Sequence, residues 1–242
     1  MKAFAISMGD VLEVNNPDTI YDLVSEGSQV LVFLEPKEPL HLIFPLPENF
    51  VEEIFKSPYS HFQDFGDFSV LYLKLGEGRF LSIVAPDIVV IVGAPARLTN
   101  EQSIHSSLLH EILDFLKKNQ VPEAHTYSEM GRIRRELLQT SRALEDLHRS
   151  IMGYLTPQEG YMLIRSAMGL KWKAFELEDK RDEMRIDLLK PVRRFKRIEY
   201  LLLGVAAMIF IGFIDQWIVK LIAGGLLLLA LFLLIRRSNP VE

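Results

Sequence analysis

The chain has no cysteine among its 242 residues. This absence excludes disulfide bonds, thiolate metal sites and a thiol nucleophile, and it fits a reducing compartment. The first residues lack both a long apolar core and a small-residue cleavage site, so we expect no signal peptide. These absences favour a protein whose folded part lies in the cytoplasm.

The sequence also lacks the short motifs that accompany common chemistry. It has no P-loop and no GxGxxG, GxSxG, HExxH or EF-hand pattern. His105 and His110 share a predicted helix, but their spacing of five places them on different faces, and we expect them to be solvated or capping residues. We therefore predict no catalytic, cofactor-binding or metal-binding residues and expect no enzyme. A tethered enzyme with a site assembled from scattered residues stays open as an alternative.

Cations are scarce in the first half of the chain. Residues 1–120 hold 8 Lys and Arg against 17 Asp and Glu, whereas residues 121–197 hold 16 against 12. A phosphate-binding face needs clustered cations. The imbalance argues against nucleic acid as a partner of the N-terminal part.

Residues 1–120 have the pattern of an α+β cytoplasmic domain, with a mostly antiparallel sheet and packed helices. Apolar runs predict strands at 29–34 and 40–44, and residues 68–92 predict a three-stranded meander. Asn16 precedes a first helix, and Thr99 with Gln102 forms a capping box for a helix that runs to about Lys118.

Residues 121–190 predict a coiled-coil hairpin of two long helices. Thr126 with Glu129 caps the first helix, and the second starts after a break at residues 153–157. We favour a chain reversal at this break over a continuous stalk, which stays open. Apolar residues at heptad spacing define a seam, which we place at Leu137, Leu144, Leu147, Ile151, Leu163, Leu170, Leu177, Met184 and Leu188. Arg181 falls on the same seam, where it pairs with an acid across the hairpin, sets register, or extends its head to water.

Charge almost disappears from residues 198–235. This apolar run predicts a transmembrane hairpin at residues 198–237, with spans at 198–214 and 217–235 and a turn at Asp215 and Gln216. Residues 238–242 form a tail. Glycines that allow close approach of the two helices are Gly204, Gly212, Gly224 and Gly225.

A basic juxtamembrane segment at residues 191–197 precedes the apolar run. The cations that flank both ends of that run are Lys190, Arg193, Arg194, Lys196, Arg197, Arg236 and Arg237. The positive-inside rule then predicts a two-span membrane protein with both termini in the cytoplasm. The same cations either select anionic lipid headgroups or serve only as a topology signal.

This layout predicts a membrane-anchored cytoplasmic scaffold or adaptor. It would self-associate into a homo-oligomer and hold a protein partner, bound by the N-terminal domain or the hairpin tip, at the lipid bilayer. The alternative is a ligand-sensing effector whose oligomerised transmembrane hairpins perturb or pore the bilayer. We predict no cofactor and no nucleic acid for either.

Overall fold

The chain divides by its contacts into two units, Met1–Arg181 and Asp182–Glu242. The computed structural model describes all residues except 8–9, 15, 17, 39, 41–42, 45, 95–97, 99–102, 120, 122, 213–216 and 239–242. In three helical stretches and one helix end it describes the backbone without the side chains, namely 189–197, 209–212, 217–219 and 235–238.

Strands dominate the first half of the chain and helices the second. The described elements of the first half are, in order, β1 (Lys2–Ser7), β2 (Asp10–Val14), α1 (Asp18–Ser25), β3 (Gln29–Leu34), α2 (Phe50–Phe55), β4 (His61–Asp64), β5 (Ser69–Leu75), β6 (Gly78–Val84) and β7 (Ile88–Val92). The second half contains α3 (Ile104–Lys118), α4 (Tyr127–Ile151), a 3₁₀ turn (Met152–Tyr154), α5 (Pro157–Gly212) and α6 (Trp217–Ser238).

The seven strands form one sheet in the order β2-β1-β3-β7-β6-β5-β4. Neighbouring strands run antiparallel except β3 and β7, which pair in parallel from Val30 with Ile88 to Leu34 with Val92. A parallel pair needs a crossover connection, and here the chain between the two strands supplies α2 and the β4–β6 meander. The first unit is therefore an α+β fold with a mixed sheet.

Both faces of the sheet are apolar and both are covered by helices. On one face, Val32 and Val90 belong to the cluster that contains Ile20 of α1 and Val51 of α2. On the other face, a second cluster joins strand residues to α3, α4 and α5. Helices on both faces are what a sheet needs when its central strands are buried on both sides.

One strand prediction is wrong, and one strand of the sheet was not predicted. Leu40 and Phe44 were expected in a strand, but the described residues there form turns with both side chains buried. The prolines around this stretch remove the N–H donors that a sheet ladder requires. The short edge strand β4 was not expected, because its sequence HFQD shows no run of apolar residues.

The helix starts follow capping chemistry. Thr126 and Glu129 form the predicted capping box of α4. The box predicted at Thr99 and Gln102 lies outside the described residues. Helix α3 begins at Ile104, where the hydroxyl of Ser103 accepts a hydrogen bond from the Ser106 N–H at 3.3 Å.

The boundary predicted at residues 120 and 121 is not where the contacts divide the chain. Leu137 and Leu144 of α4 lie in the same apolar cluster as Leu31 and Leu73 of the sheet. The hairpin is thus part of the first unit, because its apolar side is one of the two layers that cover the sheet.

The transmembrane hairpin predicted at residues 198–237 is wrong. Among the residues that the structure describes, none of the helices is both long enough and apolar enough to cross a bilayer. The predicted first span is instead the last part of the 56-residue helix α5. This finding also overturns the two-span localisation with both termini in the cytoplasm, since that prediction rested on the spans.

Leu144→Ala tests whether α4 is part of the core of the first unit. Leu144 is fully buried in the cluster that joins α4 to the sheet. We expect the truncation to lower the free energy of unfolding by about 2–5 kcal/mol, the usual cost of a leucine-to-alanine cavity. Urea denaturation of the full chain, followed by circular dichroism, measures the change.

Met152→Ala is the matched control, because Met152 directly follows α4 and its side chain is exposed. We expect this variant to stay within about 0.5 kcal/mol of the parent protein. Equal stability of Leu144→Ala and Met152→Ala would contradict the placement of α4 in the core.

Candidate interaction surfaces

Helices α4 and α5 form an antiparallel hairpin. The Ser141 hydroxyl donates to the Ala167 carbonyl at 2.8 Å, and farther from the turn Arg134 and Glu178 form an ion pair at 2.8 Å. Residues near the turn meet each other, and residues far from it meet each other, as a reversed chain requires. The reversal that we favoured over a continuous stalk is the arrangement of the structure.

The turn is fixed by a second capping arrangement. The Thr156 hydroxyl accepts from the Glu159 N–H at 3.3 Å, and the Glu159 carboxylate accepts from the Thr156 N–H at 2.9 Å. Pro157, which has no N–H to lose, is the first residue of α5. These local bonds fix the start of α5 directly after the 3₁₀ turn.

The predicted seam is internal for most of its length. Its residues from the facing parts of the two helices are buried, namely Leu137, Leu144, Leu147, Ile151, Leu163 and Leu170. Leu177 and Met184 are half-buried, and Leu188 is exposed. The buried part of the seam is occupied within the chain, so it is not available to a second copy.

Arg181 is held by an aromatic ring instead of an acid. Its guanidinium lies over the Tyr127 ring, 4.1 Å from the centroid. Gly131 faces it, and a Cβ at that position would lie 3.3 Å from the Arg181 guanidinium carbon. The absent side chain therefore lets Arg181 fold back across α4, and the cation–π contact ties the two open ends of the hairpin together.

A second apolar face of α5 is exposed. Tyr161, Met168, Trp172 and Phe175 follow one another at spacings of seven, four and three residues, which places them on one side of a helix. All four side chains are exposed, and Trp172 is 73% exposed. We call this set the outer stripe. It lies on the opposite side of α5 from Leu163, Ala167, Leu170 and Ala174, which are buried.

The sequence contained the signal for the outer stripe, although it was not predicted. The heptad pattern accounts for one apolar face of each helix, and the stripe lies on a second face of α5. Apolar residues on two opposite faces of one helix indicate that it has two neighbours. The hairpin supplies only one of them within the described residues of the first unit.

Polar groups join α4 to the sheet beneath it. Glu136 is buried, and its carboxylate accepts the Gly76 N–H from the β5–β6 turn. The Thr140 and Ser60 hydroxyls lie 2.7 Å apart, and Ser60 also accepts the Lys74 N–H at 2.8 Å. Burial raises the pKa of Glu136, although the Gly76 N–H and the Arg132 guanidinium act in the opposite direction.

His105 is buried, contrary to the expectation of a solvated or capping residue. It is 1% exposed, and its ring stacks on the Tyr154 ring of the 3₁₀ turn at 4.4 Å between centroids. Burial lowers its pKa, so the imidazole is neutral near pH 7. His110 is exposed, and its Nδ1 lies 2.7 Å from the Ser106 carbonyl oxygen. The two histidines therefore do not form a pair.

In the second unit, α5 and α6 approach closely at one of the predicted glycines. A Cβ added to Gly204 would lie 2.7 Å from Leu231 Cδ1. Gly224 and Gly225 have nothing within 4 Å of such a Cβ, and the surroundings of Gly212 lie outside the described residues. Of the four glycines, Gly204 is the one with a described packing contact.

Around these contacts the second unit exposes many apolar side chains. Leu201, Leu202 and Leu203 are all exposed in α5 although they are consecutive, so they cover most of the helix circumference. In α6, Leu221 is 74% exposed and Leu226, Leu229 and Phe232 are also exposed. The seven cations of the predicted topology signal are helical in the backbone, and their side chains lie outside the described residues.

Among the described residues, no group of His, Asp and Glu has the arrangement of a metal site. The sequence matches no known protein family and no curated protein. Two solved structures are similar over nearly the whole chain. The structure of the full-length CmaX protein shares 12% identity at a TM-score of 0.43, covering 98% of this chain and 97% of its own.

The second is the complete structure of the CorA magnesium transporter from Methanocaldococcus jannaschii. It shares 10% identity at a TM-score of 0.33, covering 100% of this chain and 99% of its own. At such identities and scores, neither likeness assigns an activity to this chain.

Glu136→Gln tests the buried carboxylate on α4. Because the folded pKa of Glu136 is raised, the folded state binds this proton more tightly than the unfolded state. The stabilising contribution of Glu136 is therefore present at acidic pH and is lost as pH rises from about 4.3 through the raised pKa. Urea midpoints measured across this range should fall with pH in the parent protein relative to Glu136→Gln.

The difference between the two proteins isolates Glu136 from the other titrating groups. A matched substitution at an exposed glutamate, Glu52→Gln, serves as the control and should leave the pH profile of the parent unchanged. Parallel profiles for the parent and Glu136→Gln would show that this carboxyl titrates normally.

Proposed function

We propose that this protein is a self-associating, lipid-associated scaffold that holds a protein partner near a membrane surface. The observation that carries the proposal is the exposed apolar surface of the second unit. Soluble monomers rarely expose contiguous apolar patches beyond a few hundred Å². Helix α6 adds the exposed side chains of Leu221, Leu226 and Leu229 to this surface, and Lys220 lies at its described start.

Lipid acyl chains would bury this apolar surface. The large apolar side chains exposed there are mostly leucine, including Leu201, Leu202 and Leu203. Burying such residues against acyl chains contributes about 25 cal/mol per Å² of apolar surface. The preceding segment, with its five cations from Lys190 to Arg197, adds an attraction of roughly 1 kcal/mol per cation to anionic headgroups.

Self-association is supported by the outer stripe of the first unit. Tyr, Trp, Phe and Met are the residue types enriched at protein interfaces, and the stripe contains one of each. It lies on a helix whose other side is already packed on α4. A second copy of the chain would bury the stripe without disturbing the hairpin.

We assign binding of the protein partner to the acidic α+β part of the first unit, residues 1–120. Its sheet and helices contain no metal cluster among the described residues and no recognised catalytic motif. A compact folded unit followed by a lipid-binding unit is the layout of an adaptor.

Vesicle flotation of the full-length protein tests lipid association. We expect the protein to float with phosphatidylcholine vesicles and more completely when phosphatidylserine is included. Replacing Leu221, Leu226 and Leu229 by Ser should markedly reduce flotation, because each change removes exposed apolar surface. Met152→Ser, an exposed apolar change in the first unit, is the control.

Changing Lys190, Arg193, Arg194, Lys196 and Arg197 to Gln should remove the preference for phosphatidylserine and leave binding to phosphatidylcholine. Protein that stays at the bottom of the gradient with both vesicle types, while forming oligomers, would refute lipid association and point to copies of the chain as the cover of the second unit.

Trp172→Glu tests self-association through the outer stripe. A buried interface tryptophan is a typical hot spot, worth about 2 kcal/mol or more when lost. We expect the dissociation constant of the oligomer to rise about 30-fold, measured by sedimentation equilibrium in a mild detergent.

Gly169→Glu is the matched control, because it adds the same charge to an exposed position of α5 beside the stripe. A Cβ at Gly169 meets nothing within 4 Å. If both variants associate as the parent does, the outer stripe is not the contact between copies.

A further inference from the structure

One edge of the sheet is a strand with exposed apolar side chains and no partner strand on its outer side among the described residues. Strand β2 ends the strand order, and among the described residues it pairs only with β1. Its Val11 is 38% exposed and its Leu12 is 58% exposed. An edge strand offers a row of unpaired N–H and C=O groups, and natural proteins usually protect such edges.

The opposite edge is protected in the expected way. Strand β4 has four residues, and it packs against α4. The Ser60 hydroxyl, beside the start of β4, lies 2.7 Å from the Thr140 hydroxyl of α4. The two edges of one sheet are thus treated differently, and β2 is the accessible one.

An open groove of about 560 Å³ runs between β2 and α1. Leu12, Val14 and Leu23 provide apolar side chains to it. Asp22 and Glu26, on α1 and just after it, provide carboxylates. Neither lysine nor arginine lines the groove among the described residues.

The two carboxylates occupy an electrostatically unfavourable place. The C-terminal end of a helix has negative character, and cations stabilise it. Helix α1 has no basic residue in its last turn, and it carries Asp22 there with Glu26 directly beyond its end. A cation brought into the groove would be attracted by both carboxylates and by the helix end.

We propose that the β2 edge and this groove bind an extended basic segment of a partner protein by strand addition. The main chain of the segment pairs with β2, and every second side chain of the segment faces the groove. Among these groove-facing side chains, the apolar ones contact Leu12 and Val14, and Lys or Arg meets Asp22 and Glu26. The segment would be the partner that the proposed scaffold holds, so this inference rests on that function.

A second copy of β2 is a poor occupant of the same edge. Two copies would bring Asp10, Glu13, Asp22 and Glu26 close to their own equivalents, and like charges across a strand pair are destabilising. Glu13 pairs with Lys2 at 3.0 Å, but both side chains are about half exposed, so solvent screens this ion pair. Charge complementarity therefore favours a basic segment from another protein.

Fluorescence anisotropy with the full-length protein tests the inference. The probe is a labelled seven-residue peptide, Thr-Val-Thr-Arg-Thr-Lys-Thr, whose second, fourth and sixth side chains share one face and present one apolar and two cationic groups to the groove. We expect saturable binding that weakens with salt, because ion pairs at an exposed site are screened. Amide hydrogen exchange should slow at residues 10–14 in the complex, since edge N–H groups become paired.

Asp22→Asn combined with Glu26→Gln should weaken binding by about three- to tenfold, because exposed ion pairs are individually modest. Glu48→Gln combined with Glu52→Gln makes the same charge change at exposed positions near α2 and should bind as the parent does. Thermal melting of both variants checks that the fold is intact.

Two altered peptides separate strand addition from charge attraction. A peptide with N-methyl groups on alternate residues keeps its charges but loses main-chain donors, and it should not bind. A peptide with Glu in place of Arg and Lys should not bind either.

Equal binding of the N-methylated peptide, unchanged affinity of the Asp22 and Glu26 variant, or no binding of the basic probe at low salt would each overturn the inference. So would protection that appears at β4 or in the second unit instead of β2. Vesicle flotation does not use this groove, so a negative result here leaves lipid association standing.

Discussion

Covering both apolar faces of the mixed sheet is the constraint on which the first unit depends. Strands β3, β5 and β7 are buried almost throughout, so each face needs a layer of helix above it. Helices α1 and α2 cover one face, and α3 with the hairpin covers the other. The hairpin is consequently a structural layer of the sheet domain, and its seam is part of the core.

Buried polar groups fix where α4 lies along the sheet. A purely apolar contact between a helix and a sheet permits sliding, because the hydrophobic effect is not directional. Glu136 and Thr140 reach backbone groups of Gly76 and Lys74, and these bonds are lost if the helix shifts by one turn. A buried donor or acceptor that loses its partner costs more free energy than its hydrogen bond contributes. These bonds therefore fix the register of α4 on the sheet.

The surfaces that we propose as functional are those where apolar groups remain uncovered after this packing. They are the outer stripe of α5, the β2 edge with its groove, and the exposed leucines of the second unit. Each differs in its chemistry. The stripe is mainly aromatic, the groove is acidic, and the large apolar side chains exposed in the second unit are mainly leucine, so each suits a different kind of neighbour.

Local sequence signals were reliable wherever the chemistry was itself local. Thr126 began α4 as its capping box predicted, and the 68–92 meander formed as its apolar runs indicated. The strand predicted at residues 40–44 was wrong because the prediction considered only the apolar side chains. The neighbouring prolines lack the main-chain N–H donors that a strand needs. The β2 groove could not be predicted from the sequence, since Leu12 and Leu23 come to line the same groove only when the chain folds.

The sequence by itself determined which residues are apolar, where α4 starts and where the hairpin turns, because caps, turns and periodicity act over a few residues. Only the tertiary structure decided what covers each apolar face. It placed the seam in the core, set Arg181 on Tyr127 and left Trp172 and Leu12 exposed. It also showed no described helix able to cross a bilayer where the apolar run predicted two. Periodicity specifies a face to be buried, whereas the partner that buries it is chosen by contacts distant in sequence.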